Sequence, residues 1–190
     1  SDVAQAMKMH RNYDLVVCGG PATIPIFAEA FGVAPQAVEP LGLPRVDHLV
    51  AHAHDAVLEP TPAAVASLRQ RFPLLAEKNR TVVLYAPTYR KDRPHHYQEV
   101  CEAFSADRYT VVVKPHPLVS AQVTGDNVVN AGGVDIVDLL PLANVVITDY
   151  SAVAFEAAAL DVSLYFYVYD LDDYRFAHGL NINPAEQFPR

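Results

Sequence analysis

A chain of 190 residues that is 51% hydrophobic is long enough to bury a sizeable core. Its formal net charge of −8 argues against nonspecific nucleic-acid binding, though a local phosphate site stays open, because backbone N–H groups and a few cations decide that. The two cysteines, Cys18 and Cys101, stand alone without a CxxC, which fits a reducing compartment and argues against a zinc site or a disulfide framework. No apolar run approaches the ~20 residues that span a bilayer, and no signal peptide is recognised.

In chain order, Asp14 to Cys18 is expected as a short strand, Gly19-Gly20-Pro21 as a turn and Ile24 to Phe31 as a helix. Ala37 to Leu43 reads as extended, and the polar stretch from Ala51 to Pro62, with its prolines and histidines, as a linker or loop. Ala63 to Phe72 is expected to be helical. From there strand and helix alternate. Strands are expected over Thr81–Tyr85, Tyr109–Val113, Asn127–Asn130, Val145–Thr148 and Ser163–Val168, and helices over Tyr97–Phe104, Val134–Leu140, Ser151–Leu160 and Asp170–Phe176. Alternating βα units with β-branched strands predict an α/β fold with a doubly wound parallel sheet. The expected division is residues 1–62 and 63–190.

Ligands of such sheets bind outside the carboxyl ends of the strands, and three sequence-distant patches fall at that edge. They are Ala86-Pro87-Thr88-Tyr89-Arg90-Lys91-Asp92-Arg93, Lys114-Pro115-His116-Pro117 and Thr148-Asp149-Tyr150-Ser151. The last is a polar elbow from a buried strand into an apolar helix, whose N–H groups and dipole suit an anion. An ordinary capped core helix accounts for the same residues. An arginine fork suits phosphate oxygens and a lysine adds a point charge. The same cations also fit a solvated loop. His116 sits between two prolines that restrict its backbone, which favours a phosphate donor or general acid. Asp149 reads as a cap before it reads as a catalyst, and Ser151 suits capping and phosphate contact together. Glu156 lies five positions after Ser151, about 7.5 Å along a helix axis, within reach of a ribose hydroxyl.

Other candidates carry less. His52, His54, His95 and His96 have no third ligand beside them, and a solvated loop accounts for them. Asp172 and Asp173 suit the first turn of a helix. Gly19-Gly20 lacks phosphate-loop spacing. Tyr165, Tyr167 and Tyr169 alternate as packing residues do.

The assembled motifs resemble the CDP-glycerol:poly(glycerophosphate) glycerophosphotransferase family of teichoic acid synthesis. The matching pieces are Gly42-Leu43-Pro44-Arg45-Val46-Asp47, Leu84 to Arg90, Lys114 to Pro117, Ile147 to Ser151 with Phe155-Glu156, and Phe166 to Asp170. They come in family order and span residues 42 to 170. The resemblance implies a GT-B enzyme with two Rossmann-like lobes, of which residues 63–190 would be the C-terminal, donor-binding lobe. The acceptor-lobe motif with a His-Gly pair before Pro and Lys is absent, since His178-Gly179 lies at the wrong end. The chain is therefore expected to be the donor half of a larger protein and inactive alone. By carry-over, polyol phosphate moves from CDP-glycerol or a related CDP-polyol to an acceptor hydroxyl, releasing CMP. His116 and Arg90 are the expected catalytic residues, with Pro87, Thr88, Lys114, Thr148, Asp149, Ser151 and Glu156 binding substrate. No metal or other cofactor is demanded. A lipid-linked polymer acceptor would be bound through the other lobe, on a cytoplasmic protein peripheral to the inner membrane face. Two alternatives stay open. A GT-B glycosyltransferase or nucleotide-sugar epimerase would usually show Gly-Gly where Ala152-Val153 stand, and a non-catalytic nucleotide-binding module needs no second lobe.

Overall fold

Valine and threonine fill most of the buried strand positions, because β-branched side chains fit a pleated surface covered on both sides. The computed structural model describes residues 12–54, 62–91, 93–181 and 183. The chain forms two compact units that divide between His48 and Leu49.

In the first unit, β1 (Val16–Val17) pairs in parallel with β2 (Val38–Glu39). Helix α1 (Ile24–Phe31) ends on Gly32, whose φ of 67° is the left-handed cap that glycine adopts without strain. Val16, Cys18, Ala28 and Val38 form its buried core. Helix α2 (Pro44–His54), which runs across the division, starts on a proline, with Asp47 in its first turn. Ala51 to His54 are therefore helical, not loop. The run from Arg45 to Glu59 holds neither glycine nor proline, so its polarity alone does not stop the helix. Residues 55–61 of the expected linker lie outside the described residues.

The second unit is a five-stranded, wholly parallel sheet in the order β5-β4-β3-β6-β7. The strands are β3 (Thr81–Tyr85), β4 (Tyr109–Val113), β5 (Val128–Asn130), β6 (Val145–Thr148) and β7 (Ser163–Phe166). Between them run α3 (Pro62–Arg71), before β3, α4 (Tyr97–Glu102), α5 (Ile136–Leu139) and α6 (Val153–Ala159), with α7 (Leu171–His178) after β7. Leu84, Val112, Val129 and Val146 point to one face and pack with Leu68, Ile136, Leu139 and Ala157. Tyr85, Val111 and Val113 point to the other, against Tyr97, Val100 and Cys101 of α4. On that second face an apolar cavity of about 520 Å³ lies over Val83, Val145, Ile147, Tyr165 and Tyr167, away from the chemistry at the strand ends.

Strand β6 returns to β3 over β4, and Asn144 fixes where it lands. Its side-chain oxygen accepts the Val82 N–H at 2.8 Å while its own N–H donates to the Val82 carbonyl at 2.9 Å. Val83, Leu84 and Tyr85 then face Val145, Val146 and Ile147 in register. The ends of β3 and β6 are thereby level, at the point where the strand order reverses.

Candidate functional site at the carboxyl edge of the sheet

The strand order puts the exits of β4, β3 and β6 side by side. Thr148 Oγ1 donates to the Ala86 carbonyl at 2.7 Å and is fully buried. Asp149 Oδ1 accepts the N–H of Thr88 at 2.8 Å and that of Tyr150 at 2.6 Å. The two exits that flank the switch point are thus stapled together by one hydroxyl and one carboxylate. Asp149 caps the turn rather than the helix: α6 begins later than expected, at Val153, with Ala152 in the N-cap position. Ser151 Oγ accepts the Val153 N–H at 3.4 Å and stays half-buried. Pro87 is buried beside these bonds, and the Thr88 hydroxyl is buried with no hydrogen-bond partner among the described residues. Such a group is an exception among buried polar atoms.

Arg90 lies deeper than a phosphate-seeking loop arginine. It is 8% exposed. Its Nη2 donates to Asp149 Oδ2 at 3.1 Å, its Nε to Asp170 Oδ2 at 3.2 Å and its Nη1 to the Tyr89 carbonyl at 3.3 Å. The guanidinium carbon is 5.0 Å from the Tyr150 ring centroid and 4.5 Å from that of Tyr174. Those two rings are stacked, 3.8 Å apart and 5° from parallel. The Tyr150 hydroxyl donates to Asp170 Oδ1 at 3.1 Å. Burial alone would lower the Arg90 pKa, but the Asp170 hydrogen bond and the charges of Asp149 and Asp170 outweigh it and hold the group more firmly protonated. Burial, then the Asp170 charge, pushes the Tyr150 phenol up. One cation here faces two buried carboxylates, so its charge serves the protein before any ligand.

His116 occupies the β4 exit. Its Nδ1 accepts the Leu118 N–H at 3.2 Å, which leaves the proton of the neutral ring on Nε2. The ring lies 5.1 Å from that of Tyr89, tilted by 34°, so it adjoins the β3 exit loop. Lys114 Nζ donates to the Pro115 carbonyl at 3.1 Å and is half-exposed. A cavity of about 730 Å³ opens beside them, lined by Pro115, His116, Pro117, Asn130, Gly132 and Gly133. Asn130 ties its walls, donating to the Ala121 carbonyl at 2.9 Å and accepting the Gly132 N–H at 3.0 Å. Glu156, on α6, is buried at 7% exposure.

His95 and His96 are not a solvated loop. His95 Nε2 accepts the Arg90 N–H at 3.1 Å, and its ring stacks 5.2 Å from Tyr97 at 1°. Burial, then the Arg90 charge, lowers the His95 pKa. His96 has a left-handed backbone (φ 51°), pairs with Glu99 and meets the Tyr169 ring edge-on at 4.4 Å. Among the described residues no three His, Cys, Asp or Glu side chains gather as a metal site. Sequence reasoning gave no site role of their own to Asn130, Tyr150, Asp170 and Tyr174, although Tyr150 and Asp170 lay within the motifs it singled out. Asp170 was within reach, since it follows β7 at the same carboxyl edge that collected the other loops.

The model of the family described as CDP-Glycerol:Poly(glycerophosphate) glycerophosphotransferase matches residues 1–190. A teichoic acid ribitol-phosphate primase of Bacillus spizizenii is 32% identical over 187 residues, covering 92% of this chain and 46% of the relative. A teichoic acid glycerol-phosphate primase of Bacillus subtilis is 26% identical over 201 residues, covering 100% of this chain and 48% of the relative. The chain spans about half the length of the curated relatives it matches. Among solved structures, the wall teichoic acid polymerase TagF superposes with a TM-score of 0.76 at 23% identity, covering 100% of this chain and 48% of that one. The fold is thus the Rossmann-like α/β architecture of a GT-B lobe. The chain belongs to the CDP-glycerol:poly(glycerophosphate) glycerophosphotransferase family.

Proposed function

We propose that this chain forms the donor site of a transferase that moves a polyol phosphate from a CDP-polyol to an acceptor hydroxyl and releases CMP. One observation carries the reading: in a chain of this family, the exits of β4, β3 and β6 lie side by side at the switch point of a parallel sheet, where ligands of such sheets bind. A relative, the polymerase TagF, has been studied soaked with CDPG, which supports a CDP-linked donor. The acceptor oxygen attacks the phosphorus distal to the cytidine, the bond from that phosphorus to the bridging oxygen breaks, and the bridging oxygen leaves on CMP. His116, with its proton on Nε2, donates a hydrogen bond to that oxygen as charge grows on it, and Lys114 adds a positive charge beside it. The Thr88 hydroxyl and the Ser151 turn hold the diphosphate, and Glu156 holds the ribose. A general base outside the residues named above takes the acceptor proton. Arg90 is given no phosphate here: it holds the exits in place through Asp149. The acceptor is a lipid-linked wall polymer, met at the membrane surface. Among the described residues no helix is long and apolar enough to cross a membrane.

The test has two arms. In the complete protein, His116→Gln should lower turnover by roughly 100-fold or more, the scale of a lost general acid or charge-stabilising donor, with the fold intact by circular dichroism. An undiminished rate removes His116 from the mechanism. In this chain, titration with CDP should shift the amide signals of Thr88, His116 and Ser151. Preferential binding of UDP-sugars would overturn the CDP-polyol reading.

A further inference from the structure

Among the described residues, helix α7 is tied to its unit chiefly at the donor edge. None of its residues is buried, and Phe176 is 94% exposed. A helix usually docks by burying an apolar stripe, and α7 lacks one. What it has is Asp170, at its N-cap and only 6% exposed, and Tyr174 one turn later, whose N–H donates to the Asp170 carbonyl at 2.8 Å. Asp170 grips Arg90 Nε and the Tyr150 hydroxyl, while Tyr174 stacks on Tyr150 and faces the Arg90 guanidinium. A solvent-exposed bridge from Arg93 to Asp173 at 2.8 Å adds little. Arg90 in turn holds Asp149, whose other oxygen sets the N–H groups of Thr88 and Tyr150. Asp170 and Tyr174 therefore contact both exit loops directly, at Arg90 and at Tyr150.

We propose that α7, through Asp170 and Tyr174, is the positioning element of the donor site, so that its docking and the binding-ready shape of the β3 and β6 exits are one equilibrium. The inference rests on the donor reading above. Linkage is reciprocal: a ligand that binds only the ordered exits must also tighten α7, although α7 does not touch it.

The test is made on this 190-residue chain with CDP as the probe. In the wild type, CDP should slow amide hydrogen exchange at Tyr174 and Arg175 by severalfold. Asp170→Asn keeps the side-chain volume. It should weaken CDP binding at least fivefold by calorimetry and abolish the exchange effect on α7. Tyr174→Phe keeps the stacked ring and should bind CDP as the wild type does, whereas Tyr174→Leu should weaken it about as much as Asp170→Asn. A purely structural role would lower the melting temperature of Asp170→Asn and Tyr174→Leu and leave their CDP affinity and the α7 response unchanged, and that result overturns the proposal alone. A wild-type chain that does not bind CDP overturns the donor reading, and the positioning role with it, whatever the variants show.

Discussion

Arg90→Met removes the cation and keeps much of the aliphatic volume, so it isolates what the charge contributes. Asp149 and Asp170 then share a pocket in which their side chains are 5% and 3% exposed, with no cation between them. Removing one partner of a buried ion pair costs about 3–5 kcal/mol, because the remaining charge stays desolvated. At roughly 2–4 °C per kcal/mol for a chain of this size, the melting temperature should fall by about 10 °C. The informative measurement is a double-mutant cycle by urea unfolding. If the penalty comes from orphaned carboxylates, adding Asp170→Asn to Arg90→Met relieves part of it, and the double variant should be more stable than the two single losses predict by at least ~1 kcal/mol. Additivity to within about 0.5 kcal/mol, the behaviour of independent sites, would refute the idea that Arg90 serves these carboxylates.

Two further outcomes are expected. The His95 pKa is lowered from its ordinary 6.5, so the folded chain resists a proton that the unfolded chain accepts; this stability is full above pH 6.5 and is lost as the pH falls through the folded value. The urea midpoint should therefore drop more between pH 7.5 and 5.5 in the wild type than in His95→Phe, and equal drops would show that His95 does not titrate this way. Burial, then Glu102, pushes the Cys101 thiol up to about 11 from its ordinary 9, which lowers its thiolate fraction at pH 8 by roughly 100-fold. Cys101 should resist Ellman's reagent in the native chain and react promptly in urea, and rapid native labelling would contradict the buried placement.

What could be read in advance followed from chemistry local to the chain. Thr81–Tyr85, Tyr109–Val113 and Val145–Thr148 are β-branched runs of strand length, and the structure has strands over those same residues. The parallel sheet followed from their alternation with helices. The Ala51–His54 segment was misread because histidines and a distant proline suggested loop, whereas nothing in the run breaks a helix. At the site, the fold rule brought Thr88, His116 and the 148–151 elbow to one edge. It could not say which way Arg90 would turn, because that depends on Asp170, a residue 80 positions away. Side-chain pairing across such separations is a property of the closed sheet and leaves no local pattern.

Those separations also bear on the order of events during synthesis. The bonds that shape the crevice link residues 59 positions apart (Arg90 to Asp149), 61 (Thr88 to Asp149), 62 (Ala86 to Thr148) and 80 (Arg90 to Asp170). Each closes a long loop whose entropy must be offset before the contact is rewarding, so β3 and β4 can pair while the donor edge is still absent. A chain emerging from the ribosome cannot assemble that edge until Asp149 is out, and cannot lock it until Tyr174 follows. The Asn144 clamp on Val82 uses none of these rim bonds, so it fixes the β3–β6 register against a one-residue slip independently of them.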